Sequence, residues 1–524
     1  MTDTSITTLT ASEIAQGIKA GDLSAREVVA AHIARVETVN PKINALVVPL
    51  FEQARQAADA ADAAQRRGEA LGPLHGVPIT IKEQFLVKDT ATTLGLVSQK
   101  NHRAAEDGPL VKRLRDAGAI VLGKTNVSQL LIYIEADNQL YGRTNNPWNL
   151  ARTPGGSSGG EAAIIAAGGS PLGLGGDVGG SIREPAHFCG IHGLKPTAGR
   201  LTIFDTPAGF FSMGLVEAIP PQSGPMARSV ADLALAMEVL AAPGQERFDP
   251  TIAPVPWPNW RDVSLRGLRV AMYTDDGYFQ AAPAIRRVVR EAAEALRTQG
   301  AQVEAWAPPD VSEAMRCFFG IFSADAFNGL RRALGTERPA PQIEGLLQSN
   351  KIPRRARKFL AGRLRASGRV RLSHLVEETG ALSAEAYWQL LGDRAAYRTR
   401  FLGALAAGQF DAIICPPTSL PAVLHGSTAS LPDFDSYARL FNVLGMPAGV
   451  VAASRVRAGE ESDRPMSKDP VEQMAAQVER GSAGLPIGVQ VAARHWREDI
   501  VLAVMGALET HFRAQPDYPA GPSI

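Results

Sequence analysis

Cysteine is scarce. The 524 residues hold three, Cys189, Cys317 and Cys415, far apart and without a CxxC pair. That excludes a disulfide framework and a thiolate zinc site, and it suits a reducing compartment. Net charge is almost absent, 54 Lys+Arg standing against 53 Asp+Glu for a balance of +1. With no global field to hold a polyanion, nucleic-acid binding is not expected. The nine histidines are scattered and form neither HExxH nor HxH, so the sequence gives no support for a catalytic metal or another cofactor. No run of eighteen apolar residues occurs, and Met1–Thr10 is polar rather than charged and then apolar. The expectation is a cytoplasmic globular protein.

What is present is a chain 45% apolar and 20% charged that alternates strands and helices. Thr10-x-x-Glu13 and Ser24-x-x-Glu27 are capping-box patterns ahead of helical runs, which Gly21 and Pro41 are expected to stop. An Ala-rich helix is expected over Phe51–Arg67. Val77–Lys82 alternates as a strand does, with Val77, Ile79 and Ile81 on one face and Thr80 and Lys82 on the other. Later strands are expected at Leu268–Met272, Ala412–Cys415, Gly449–Ala453 and Ile487–Ala492, with helices at 282–298, 384–406 and 498–510. Val456–Gly481 is polar and reads as a surface excursion. The alternation predicts an α/β sheet, and with no repeat and no long linker, residues 1–524 are expected to form one domain.

The composition shifts between Gly155 and Ser181, where eleven of 27 residues are glycine, too many for an ordinary helix or strand. Glycine lets backbone N–H groups approach a ligand closely, and Gly175–Ser181 sets several such donors before a serine, as an oxyanion hole requires. Gly155–Gly160 is a second glycine-flanked hydroxyl pair, Ser157 and Ser158. Gly156–Gly160 also fits GxSxG, but that motif needs a strand before its serine and Asn149–Pro154 is a poor one. A phosphate-binding loop lacks GxxxxGK[ST], and a plain packing seam is the bland alternative. Lys82 has two readings. It is a solvated edge charge, or a buried amine whose lowered pKa lets it serve as base for a serine.

These motifs resemble the amidase signature family: Gly76-Val-Pro-x-x-x-Lys82, Thr153–Gly160, Asp177-x-Gly-Gly-Ser-Ile-Arg183, Phe188-Cys-Gly190 and Gly193-Leu-Lys-Pro-Thr197. The 75 residues from Lys82 to Ser157 and 24 more to Ser181 match its spacing. Lys82-Glu83, Asn146-Pro-Trp148, Gly159-Gly-Glu161 and Pro447–Val451 are similar to the fatty acid amide hydrolase branch. Gly176 departs from the family, which has Thr there. The resemblance implies a large mixed, twisted β-sheet covered by helices on both faces, with a signature core over about 70–230 and a helical substrate-side insertion over about 310–400.

The same resemblance implies roles. Ser181 is the nucleophile, and Ser157, behind a cis peptide, relays its proton to Lys82. The amides of Val178, Gly179, Gly180 and Ser181 form the oxyanion hole. Asp177 and Arg183 are structural partners, and no cofactor is involved. Leu131 and Ile132, in the run Leu130–Ile134, are expected at the acyl site, with Met446 and Trp496 on its far wall. The implied activity is amide hydrolysis on apolar acyl or aryl substrates. The alternative is a glutamine amidotransferase subunit delivering ammonia to a partner chain. Lys351–Arg371 holds nine Lys/Arg and no acid, interleaved with Phe359, Leu360 and Leu364, and reads as a basic amphipathic helix on an anionic membrane surface or a solvated face. Family members are often homodimers, so a homodimer is expected.

Overall fold

The computed structural model describes residues 6–206, 215–349 and 352–524. Among the described residues, eleven strands join in one mixed sheet. In chain order they are β1 Leu46–Pro49, β2 Pro78–Lys82, β3 Ile120–Thr125, β4 Leu172–Asp177, β5 His192–Lys195, β6 Gln222–Ala227, β7 Arg269–Met272, β8 Gln302–Ala305, β9 Ala412–Cys415, β10 Ala448–Arg455 and β11 Pro486–Ala493. Across the sheet the order is β1-β3-β2-β4-β6-β5-β10-β11-β9-β7-β8. β2 is parallel to both neighbours, β3 and β4, and β4 is antiparallel to β6. Helices such as Pro283–Thr298 and Glu498–Arg513 flank the sheet, giving the α/β architecture expected.

The local signals act as chemistry requires. Thr10 and Glu13 form a full capping box, Glu13 N–H donating to Thr10 Oγ1 at 3.1 Å and Thr10 N–H to Glu13 Oε2 at 2.8 Å. Pro41 does not stop its helix, which runs Ala25–Ile43. A proline in the last turn removes one hydrogen bond only, and Asn44, left-handed at φ 49°, ends the helix instead. The polar excursion 456–481 contains a helix, Pro470–Glu479, whose first turn is capped by Asp469.

Two expectations about the site's strands are corrected. β2 is buried on both faces because it lies inside the sheet, so the polar face carrying Thr80 and Lys82 turns to protein rather than to water. The glycine-rich stretch includes a strand, β4. It lacks side chains because neighbours fill the space: a Cβ on Gly173 would lie 1.7 Å from Glu161 Oε1. Residues 149–154 form turns and isolated bridges, so Ser158 has no strand before it, as the GxSxG reading required. Between β8 and β9 six helices follow one another from Val311 to Ala407, and four of them line the cavity beside Ser181.

Candidate active site

Lys82 ends β2 only 1% exposed. Its Nζ donates to Ser157 Oγ at 2.8 Å and to the Gly176 carbonyl, at the end of β4, at 3.0 Å. Burial lowers this amine to about 7, against the charges of Asp177 and Glu161, which favour the ammonium. Burial likewise lifts Glu161 to about 7, opposed by hydroxyl bonds from Thr80 and Thr125 and by Lys82. The edge-charge reading of Lys82 therefore falls.

Ser157 follows a cis Gly156–Ser157 peptide and precedes the helix Gly159–Ala166. Gly156 is confined by backbone, since a Cβ there would lie 2.4 Å from the Glu135 nitrogen. Ser158 ties the two serine loops together: its N–H donates to the Ser181 carbonyl at 3.2 Å, and its Oγ to the Gly176 carbonyl at 3.2 Å. Gly176 thus serves through its backbone. The space beside its Cα is taken by Gln84, whose Oε1 would be 2.7 Å from a Cβ.

The loop 178–181 is set by Asp177. Gly180 N–H donates to its Oδ1 at 2.8 Å, Ile182 N–H to its Oδ2 at 3.2 Å, and Asn442 Nδ2 to Oδ1 at 2.9 Å. Arg183 adds bonds of 3.0 Å to each carboxylate oxygen. Burial alone would raise this carboxyl, but Arg183's charge and hydrogen bonds outweigh it and hold Asp177 well below the usual range. The Gly180 amide is therefore committed to Asp177, so it is not a fourth donor of the expected hole. Val178, Gly179 and Ser181 are the other three residues expected at the hole.

Half-buried Ser181 faces a cavity of about 340 Å³ whose wall is mostly apolar. Val178, Gly179, Leu131 and Ile132 line it, while Leu130 turns into the core. Met446 and Trp496 do not line it. The Met446 side chain is fully buried in the core and its carbonyl accepts from Lys195 Nζ at 2.6 Å. The Trp496 ring lies 4.7 Å from the Arg200 guanidinium, and its backbone N–H donates to Thr197 Oγ1. The far wall comes instead from Phe318, Phe319 and Phe322 on the helix Val311–Ser323, from Leu372, Leu375 and Val376, and from Asp435 and Arg439. Sequence reading missed these residues. The one available signal was the aromatic cluster at i, i+1 and i+4 in a helical run.

The basic segment is two helices, Arg354–Ala366 and Val370–Glu378, rather than one, and its Lys351 lies outside the described residues. Arg357 and Arg371 turn inward. Arg357 donates to the Ile352 carbonyl and to Thr379, and Arg371 to Glu472 at 2.7 Å. Phe359 is 70% exposed, beside exposed Lys358 and Arg363. Among the described residues no helix is long and apolar enough to cross a membrane, and no three His, Cys, Asp or Glu side chains group to hold a metal ion.

A family model described as Amidase matches residues 27–502. Fatty-acid amide hydrolase 1 of Sus scrofa is 33% identical over 503 residues, covering 95% of this chain and 84% of that protein. A glutamyl-tRNA(Gln) amidotransferase chain of Alkalilimnicola ehrlichii is 38% identical over 326 residues, covering 62% of this chain and 65% of its own. A solved fatty acid amide hydrolase structure superposes with a TM-score of 0.83 at 28% identity, covering 97% of this chain and 85% of that one. With the family model running from residue 27 to 502 and the hydrolase matches nearly full length, the chain belongs to the Amidase family and is an amide hydrolase.

Proposed function

We propose that this chain is a serine amidohydrolase that cleaves apolar acyl or aryl amides through an acyl-enzyme, using Ser181, Ser157 and Lys82. The observation that carries the reading is the buried amine of Lys82, 2.8 Å from Ser157 Oγ, in the same strand-and-loop cluster as Ser181. Neutral Lys82 takes the Ser157 hydroxyl proton as Ser157 takes that of Ser181, and Ser181 Oγ attacks the amide carbonyl carbon. The oxyanion is received by the amides of Val178, Gly179 and Ser181. The proton then returns from Lys82 through Ser157 to the amide nitrogen. The C–N bond breaks, the amine leaves, and water releases the acid by the same relay. Early protonation of nitrogen is what lets a poor leaving group depart.

The wall of Leu131, Ile132 and the three phenylalanines supports an apolar acyl or aryl group over glutamine. A fluorophosphonate probe tests the assignment. Labelling present in the parent and absent in Ser181→Ala upholds it, whereas labelling that persists in the variant retires Ser181 as nucleophile. Profiling hydrolysis across short, long and aromatic amides then fixes the substrate class.

The reading extends to a peripheral membrane contact, supported by exposed Phe359, Lys358 and Arg363 on the first helix of a pair whose second helix lines the cavity. Vesicles containing anionic lipid should retain the protein at low salt and release it at high salt. No retention at either salt ends this part of the proposal. The homodimer follows from the family resemblance, and sedimentation at twice the chain mass is its test.

A further inference from the structure

Glu184 lies three residues past Ser181, in the first turn of the helix Arg183–Cys189, and is fully buried. A Cβ on Gly180 would stand 1.9 Å from Glu184 Oε1, so this carboxyl lies directly against the backbone of the nucleophile loop. Neither of its oxygens accepts a hydrogen bond from a described N–H or O–H. What it meets is a second fully buried carboxyl, Asp435, at the head of the helix Ser436–Leu444. Asp435 also lacks a directed hydrogen-bond donor, although Arg439 Nη2 stands 2.7 Å from its Oδ2. Arg439 is fixed by a 2.8 Å bond to the Pro432 carbonyl and by the rings of Phe318 and Phe319, 5.0 and 4.9 Å away.

Two carboxyls thus share one guanidinium. Fully ionised, the three would carry net negative charge in a site shielded from water. The other charges that face the pair do not relieve this. Asp177 is answered by Arg183, and Asp433 adds a further acid beside Asp435. A carboxyl-to-carboxyl contact served by a single guanidinium is resolved by a proton held between the two. Burial, then the Asp435 charge, push Glu184 well above the ordinary carboxylate range, and burial raises Asp435 as well.

We infer that Glu184 is a positioning residue for the acyl transfer: protonated against Asp435, it backs the nucleophile loop as a neutral side chain and limits the negative charge beside the amides that receive the oxyanion. The inference rests on Ser181 being the nucleophile. A charge on Glu184 opposes the developing oxyanion, so activity falls when the shared proton leaves. Neutral Lys82 favours high pH and protonated Glu184 favours low pH, and together they make the profile bell-shaped.

The test is kcat/KM against pH on one anilide for the parent, E184Q and D435N. The parent should decline on the alkaline side, on the order of tenfold. In E184Q, whose carboxamide cannot ionise, that decline disappears. In D435N, the loss of the charge that raises Glu184 moves the decline toward lower pH. An alkaline decline of unchanged depth and midpoint in E184Q overturns the inference, as does a D435N decline that stays in place or moves upward. If E184Q does not fold, the direction of the D435N shift alone decides. Fluorophosphonate labelling of the same preparations separates the two layers. Unlabelled parent enzyme retires the Ser181 assignment, whereas labelled protein with coincident profiles retires only the role of Glu184.

Discussion

The two sides of the cavity are built on opposite principles. On the sheet side, Lys82, Ser157 and Asp177 are held by hydrogen bonds between neighbouring strands and loops, with glycine wherever two backbones meet. On the helical side, Phe318, Phe319, Phe322, Leu375 and Val376 supply mainly shape, from helices far along the chain. The first side tolerates almost no change of atom, while the second depends on volume. The comparison teaches where chemistry and where selectivity reside.

The largest effects should break the sheet side. Lys82→Ala removes the base and should lower kcat for amide hydrolysis about a thousandfold or more, and Ser181→Ala should reach background, both read by steady-state kinetics. Gly156→Ala drives a methyl into the Glu135 backbone and should cost about 3 kcal/mol, measured as a lower denaturant midpoint. Acid should act more gently. An amine base works only when neutral, so below its value of about 7 kcat/KM should fall roughly tenfold per pH unit. A profile flat through that range, with chemistry rate-limiting, removes the lysine base. On the helical side, Phe319→Ala should penalise a long-chain amide more than its acetyl analogue, by about tenfold or less. Equal loss on both substrates would erase the contrast between the two walls.

The same contrast explains what was legible in the sequence. Strand alternation at 77–82, helix caps at Thr10 and Ser24, and the fixed spacing of Lys82, Ser157 and Ser181 are local or backbone-level requirements, and they leave a pattern in residue order. β4 was misjudged because its glycines mark the bulk of Glu161 and Gln84, a property of the neighbours and not of the strand. Pro41 misled because its cost depends on how near the helix end it falls. The cavity wall was unreadable for a deeper reason. An apolar residue in a helix carries the same pattern whether it meets the core, as Met446 does, or an open cavity, as Phe319 does. The charged corner of Glu184, Asp435 and Arg439 was hidden similarly, since Glu184 stands about 250 residues before the other two and only folding makes them adjacent.

Arg183 joins these distant parts directly. Besides Asp177, it donates to the Ala438 carbonyl, to Asn442 Oδ1 and to Gln490 Oε1. The nucleophile loop is thus fastened to segments that leave the ribosome some 250 to 300 residues later. A nascent chain halted before β11 carries Ser181 but lacks Gln490, one of the partners that hold Arg183. The Arg183 hub is therefore completed only when the last strand of the sheet docks.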